Sequence, residues 1–144
     1  MVVVGIDPGI CNCGVAVVNE GRVTYLATFS GNKQESPYAF LYHSLQELFK
    51  AYRPNVAIVE GAFQASHFAN PHIEAIGIIK AVAGEERIPI STYSPSAWKK
   101  ILLGDGWMKK GDVLASMQRA GYGVRSTHEA DALALALTYL KVNG

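Results

Sequence analysis

The chain reads as an α/β protein: a mixed sheet with helices on both faces. Three observations lead there. Short apolar runs such as residues 2–6 and 56–59 have the length and β-branched content of buried strands. Two Ser-Pro pairs and one Ser-x-x-Glu box mark helix starts. The order strand, strand, strand, helix, strand, helix, strand, then helices, combines an antiparallel hairpin region with crossover connections.

Residues 2–7 form the first strand, closed by Pro8-Gly9. Residues 14–18 and 22–29 follow, and Asn19-Glu20-Gly21 between them is a hairpin signal. Ser36 caps the first helix, with Pro37 at its first position and Phe40, Leu41, Leu45, Leu48 and Phe49 on its apolar face. Arg53-Pro54 ends it, and residues 56–59 form a strand that runs into Glu60. Residues 72–86 are the second helix, and residues 89–93 the last strand. Ser94-Pro95 repeats the helix-start signal. In Ser126-Thr127-His128-Glu129, Ser126 caps a final helix and Glu129 reaches back to complete a capping box. The nearly unbroken apolar run 130–140 marks that helix as buried on most sides.

Composition sets the outer bounds. The 144 residues are 49% apolar and 17% charged, with a mean hydropathy of +0.13, which excludes a disordered tail or a charged coiled coil. A chain of this length buries roughly 68–70% of its unfolded surface, so residues 1–144 are expected to form one domain with an ordinary core. No apolar run reaches the roughly 18 residues of a membrane span. Asp7 and Pro8 interrupt the oily start and no basic segment precedes it, which does not fit a signal peptide. Cys11 and Cys13 are the only cysteines, and one residue apart they make no disulfide framework. A soluble cytoplasmic protein is expected.

The net charge of +1 conceals a division. Residues 98–125 carry Lys99, Lys100, Lys109, Lys110, Arg119 and Arg125 against Asp105 and Asp112, a net +4, and the rest of the chain sums to −3. A basic face beside an acidic site suits a polyanion. The plainer alternative is a solvated pair of helices.

The acidic residues are informative by position. Asp7 ends the first strand, Glu60 ends the fourth, and Asp131 lies in the first turns of the apolar last helix. Carboxylates are rarely buried without a partner or a metal, and sites in α/β sheets gather beyond the carboxyl ends of strands. Three carboxylates converging there would repel one another unless a hard cation such as Mg²⁺ or Mn²⁺ neutralised them, and two such ions about 3.5–4 Å apart form the clamp used for phosphodiester hydrolysis. His128, three residues before Asp131, shares its helix face, whereas Glu129 points about 100° away and is assigned to the cap. His43, His67 and His72 have no such company and stay unassigned.

Three segments, Val4-Gly5-Ile6-Asp7-Pro8-Gly9, Ile58-Val59-Glu60-Gly61-Ala62-Phe63 and His128-Glu129-Ala130-Asp131-Ala132-Leu133-Ala134, resemble the acidic motifs of the RuvC Holliday junction resolvases. Residues 93–113 are similar to that family's basic segment, with Lys99, Gly104, Gly106 and Lys110 in register. The resemblance implies an RNase H-like fold with a five-stranded sheet, and a crossover junction endodeoxyribonuclease acting on four-way DNA junctions. It also implies a site of two Mg²⁺ or Mn²⁺ ions held by Asp7, Glu60, His128 and Asp131. By the same resemblance Lys110 stabilises charge at the scissile phosphate and Lys99 grips the backbone, with Lys100 and Lys109 beside them on the DNA. Phe63 is the aromatic that stacks at the branch point, and Gln64, Ser66, His67 and Phe68 extend that contact. Trp98 and Trp107 flank the basic segment and fit core packing better than DNA contact.

Helix 72–86 has a core stripe of Ile76, Ile79 and Val82 or Ala83, and a second stripe of Ile73, Gly77 and Gly84. The resemblance makes it the homodimer helix, and a two-fold dimer suits paired symmetric nicks. Two features depart from the family pattern. Cys13 stands where a hydroxyl residue is usual, and the chain ends at Gly144 without the tail some relatives carry. A stand-alone enzyme, including a phage-encoded one with broad branched-DNA specificity, is thus an alternative to one working with a branch-migration motor. Other readings are an RNase H-like nuclease of ribosomal RNA precursors, a junction binder without cleavage, and an ATP-binding module of the actin kind. The last needs two such domains.

Overall fold

A computed structural model describes residues 1–61 and 70–144. The chain runs β1 (Val2–Asp7), β2 (Asn12–Asn19), β3 (Arg22–Ser30), α1 (Pro37–Tyr52), β4 (Val56–Glu60), α2 (Pro71–Glu85), β5 (Ile90–Tyr93), α3 (Pro95–Leu103), α4 (Lys110–Arg119) and α5 (Thr127–Asn143). The expected elements are all present. The strands form one mixed sheet in the order β3-β2-β1-β4-β5. β1 and β2, and β2 and β3, are antiparallel, while β4 runs parallel to both β1 and β5.

The strands are apolar because both sheet faces are covered. On one face Val4, Ile6, Val15, Val17, Ala57 and Val59 pack with Leu41, Leu45 and Phe49 of α1 and Ile79 and Val82 of α2. On the other, Val3, Ala16, Val18, Val56 and Ile58 meet Trp98 of α3, Val113 and Met117 of α4, and Leu133 and Leu135 of α5. The alternation of neighbours along each strand between the two clusters is the period-two rule. Among the described residues no helix is long and apolar enough to cross a membrane.

Caps fall where side-chain chemistry puts them. Ser36 Oγ accepts from Ala39 N, Ser94 Oγ from Ala97 N, and Ser126 Oγ from Glu129 N. The box at α5 differs from the expectation in its return arm. Glu129 Oε1 accepts from the backbone N–H of Arg125, one residue before the cap, at 3.0 Å, and its Oε2 takes the Arg125 guanidinium at 3.1 Å. The paired charge lets Glu129 be buried.

One other expectation is corrected. Trp98 is fully buried, but Trp107 is 91% exposed, because it lies in the α3–α4 turn where no second layer covers it. On α2 the core stripe is as expected, with Ile79, Val82 and Ala83 buried beside Ala75 and Ile76 half-buried, while Ile73, Gly77 and Gly84 lie open.

The helix that matters most is α5, which packs directly on β1 and β2. Two strand glycines permit that approach. A Cβ on Gly5 would stand 1.8 Å from the carbonyl oxygen of Ala132, and one on Gly14 would stand 2.1 Å from that of His128. Both clashes are with helix backbone, which cannot swing aside. Gly5→Ala is therefore expected to lose about 3 kcal/mol or more of stability, at or beyond the upper end of overpacking costs. Urea denaturation checks this, and a loss below about 0.5 kcal/mol would show that α5 is not seated by this glycine.

Candidate active site

The sheet and α5 together determine where the acidic residues lie. Ile6 pairs with Val59 in the parallel register of β1 and β4, so Asp7 and Glu60 follow side by side at the carboxyl ends of the two central strands. Asp7 also pairs with Gly14, the position over which the His128 backbone sits. The seating of α5 thus carries His128 to Asp7, with Nδ1 3.1 Å from Asp7 Oδ2. A carboxylate oxygen only accepts, so this contact is made by an Nδ1–H donating to Asp7. Asp131 lies about one turn further along α5 and is 2% exposed.

Each remaining carboxylate is held by one donor from the helices after β5. The buried Trp98 indole of α3 donates to Glu60 Oε2 at 2.8 Å. Lys110, the first residue of α4, donates to Asp131 Oδ2 at 3.1 Å. Lys99 lies with its ammonium 5.6 Å from the Trp98 ring centroid, near enough to Asp131 to favour that group's ionised form. Lys100 and Lys109 are exposed on the same stretch.

Electrostatics tie these groups into one unit. Burial, then the charges of Asp7 and Asp131, push the Glu60 carboxyl above its ordinary value, against the Trp98 hydrogen bond. Burial likewise raises Asp131; the Lys110 cation opposes this and Asp7 adds to it. Burial pulls Lys110 down, but the carboxylates of Asp131, Asp7 and Glu60 outweigh it and hold the ammonium charged to higher pH than usual. Asp7 in turn acts on Cys13, whose thiol is pushed up to about 12, mainly by burial. That thiol is an inert packing group.

The donor set fits a hard divalent cation. Three coupled carboxylates and an imidazole meet at one end of the sheet, and Asp131 Oδ1 is buried without a hydrogen-bond partner among the described residues. They are not a closed cage. Among the described residues no three His, Cys, Asp or Glu side chains already stand at ligand spacing, and the ammonium of Lys110 and the indole of Trp98 each hold one oxygen of two of them.

Sequence reasoning missed two neighbours. His72, left unassigned, is close enough to Glu60 to favour its charged form, and Trp98 orients that carboxylate. Neither is marked by local pattern, because both reach the site from other elements. The strand glycines Gly5 and Gly14 did carry a readable signal, since glycine inside a strand often marks close backbone approach. Phe63, Gln64, Ser66, His67 and Phe68 lie outside the described residues.

The family model described as crossover junction endodeoxyribonuclease RuvC matches residues 3–139. The RuvC of Prochlorococcus marinus (strain AS9601) is 30% identical over 158 aligned positions, covering 100% of this chain and 99% of that protein. The solved structure of Thermus thermophilus RuvC superposes with a TM-score of 0.82 at 32% identity, covering 98% of this chain and 94% of that one. T. thermophilus RuvC in complex with Holliday junction substrate gives 0.83 at 30% identity, with 99% and 94% covered. The mixed sheet and its helices are accordingly the RNase H-like fold of these nucleases. With a full-length family match and a fold shared throughout, the chain belongs to the RuvC family of crossover junction endodeoxyribonucleases.

Proposed function

We propose that this nuclease resolves four-way DNA junctions by paired symmetric nicks, and that Asp7, Glu60, His128 and Asp131 hold the divalent metal that the hydrolysis needs. The observation that carries the reading is the unpartnered Asp131 Oδ1 within a cluster of mutually repelling carboxylates. Such a cluster is costly in the folded protein and gains from a cation. When two Mg²⁺ or Mn²⁺ ions are bound there, they supply activation of the attacking water and stabilisation of the leaving oxygen.

The side chains supply the rest. Asp7 orients the His128 ring, and Trp98 does the same for Glu60. Lys110 is the cation that balances Asp131, and its long exposed stem lets it turn to an incoming phosphate. From there it stabilises the charge that develops on the phosphoryl oxygens. Lys99, Lys100 and Lys109 neutralise phosphates on either side. In the two-fold assembly that paired nicks require, the open face of α2 with Ile73, Gly77 and Gly84 is the homodimer surface. Branched DNA is the partner and the cytoplasm is the compartment.

End-labelled synthetic four-way junctions test the proposal, with linear duplex and structured RNA as controls. Paired opposed nicks in Mg²⁺ and Mn²⁺, absent in EDTA, are expected. Mn²⁺ should be at least as effective as Mg²⁺, because imidazole is a softer ligand than carboxylate. Asp7→Asn should bind the junction yet cleave it at least about a thousandfold more slowly, the loss of several kcal/mol of metal-borne stabilisation. Single unpaired nicks would remove the dimer, and cutting of RNA alone would move the activity to ribosomal RNA precursors.

A pH experiment follows from the raised Glu60 carboxyl. The folded state holds that proton more tightly than the unfolded chain, so metal-free stability falls as pH rises from the ordinary carboxylate value through the raised one. Glu60→Gln keeps an oxygen for the Trp98 N–H and removes the charge. The metal-free variant should melt higher than wild type at pH 8, with the difference vanishing near pH 4. An equal gain at both pH values would rule out this linkage.

A further inference from the structure

We propose that Trp107 is a stacking platform for an unpaired DNA base beside the branch point, and the proposal rests on the junction-resolving reading above. Trp107 is the most exposed of the large apolar side chains among the described residues, at 91%. The turn that carries it is anchored. Gly104 closes α3 in the left-handed region with φ +78°, its N–H donating to Lys100 O at 3.0 Å. Asp105 Oδ1 accepts from the backbone N–H of Trp107 at 2.9 Å, and Asp105 O from that of Met108 at 3.3 Å. Gly106 lies against α3, where a Cβ would stand 3.0 Å from Ser96 O, and Met108 packs on the core. The indole therefore stands out from a backbone held on both sides, so that little ordering is left to pay for on binding.

Charge and position select the occupant. Three residues after the indole comes Lys110, whose ammonium touches Asp131 in the active site, and Lys109 lies between. Trp107 and Lys100 line an open cleft of about 410 Å³ along the turn. An aromatic face on a cleft shared with Lys100 and Asp105, three residues before the lysine that reaches Asp131, matches a splayed nucleotide, with its base on the ring and its phosphates on the lysines. Bases in intact duplex are already stacked on each other. The contact is thus specific for branched DNA, and it adds a second aromatic to whatever Phe63 provides.

The test uses the whole chain as wild type, Trp107→Ala and Trp107→Phe, on four-way junction and linear duplex. The chain has two tryptophans, and the buried Trp98 is bonded to Glu60 in the active site, so the part of the DNA response that is lost in Trp107→Ala is the part that reports Trp107. Junction should quench wild-type emission, and Trp107→Ala should abolish the change. Trp107→Ala should raise the KM and Kd for junction by roughly 5- to 150-fold, the span of base–aromatic stacking, with a smaller effect on kcat. Trp107→Phe should recover most of that loss, and duplex affinity should be little altered in either variant. Equal junction affinity for wild type and Trp107→Ala, or no quenching in wild type, overturns the proposal. A change in sedimentation of Trp107→Ala without DNA also overturns it, since the indole would then be packed between protein chains. Wild type that neither binds nor cuts the junction would instead overturn the resolvase reading itself.

Discussion

The structure depends on one close approach, the α5 backbone lying directly on β1 and β2 at Gly5 and Gly14. Any side chain at those two positions would lift the helix from the sheet. The glycine contacts set the height of α5, and the pairing of Asp7 with Gly14 sets where along the strands His128 arrives. Asp131 follows by helical geometry. The functional cluster is therefore a product of backbone packing, with the chemistry placed at the end of elements whose positions leave little freedom.

What the packing assembles is electrostatically unfavourable by itself. Glu60 and Asp131 are both displaced toward the neutral form by burial and by the charge of Asp7, and Asp131 keeps one oxygen without a partner among the described residues. Lys110, His128 and Trp98 offset part of the cost, each from a different helix. A structural ion pair would satisfy every oxygen. The proposed uptake of cation and phosphate calls for the opposite, an attraction that the site's own residues leave incomplete.

Much of this was legible in the sequence because it is local. Strands read as apolar runs, helices announced themselves by Ser-Pro and Ser-x-x-Glu, and a carboxylate at the end of an apolar run is costly enough to demand a reason. The pairing of His128 with Asp131 on one helix face followed from helical spacing. Contacts from distant elements were not legible. Nothing near Trp98 in the sequence points to Glu60, and nothing near His72 does either. Trp107 was misread for a different reason. Large aromatics favour the interior as a tendency, but burial requires a covering layer, and the α3–α4 turn has none. The Glu129 arm was nearly right and missed by one residue, since the Arg125 guanidinium draws the carboxylate outward past the cap.

The central claim is that this cluster is incomplete without a divalent cation, and metal binding tests it without reference to cleavage. Thermal unfolding of the metal-stripped chain would be followed as Mn²⁺ or Mg²⁺ is added, for wild type and for Asp131→Asn. A ligand of the folded state at a hundred times its Kd stabilises by about 2.7 kcal/mol, which for a chain of this size is a rise in Tm of about 5–10 °C. The account predicts such a rise in wild type and little or none in Asp131→Asn. Wild type that does not respond, or a variant that responds equally, would contradict it.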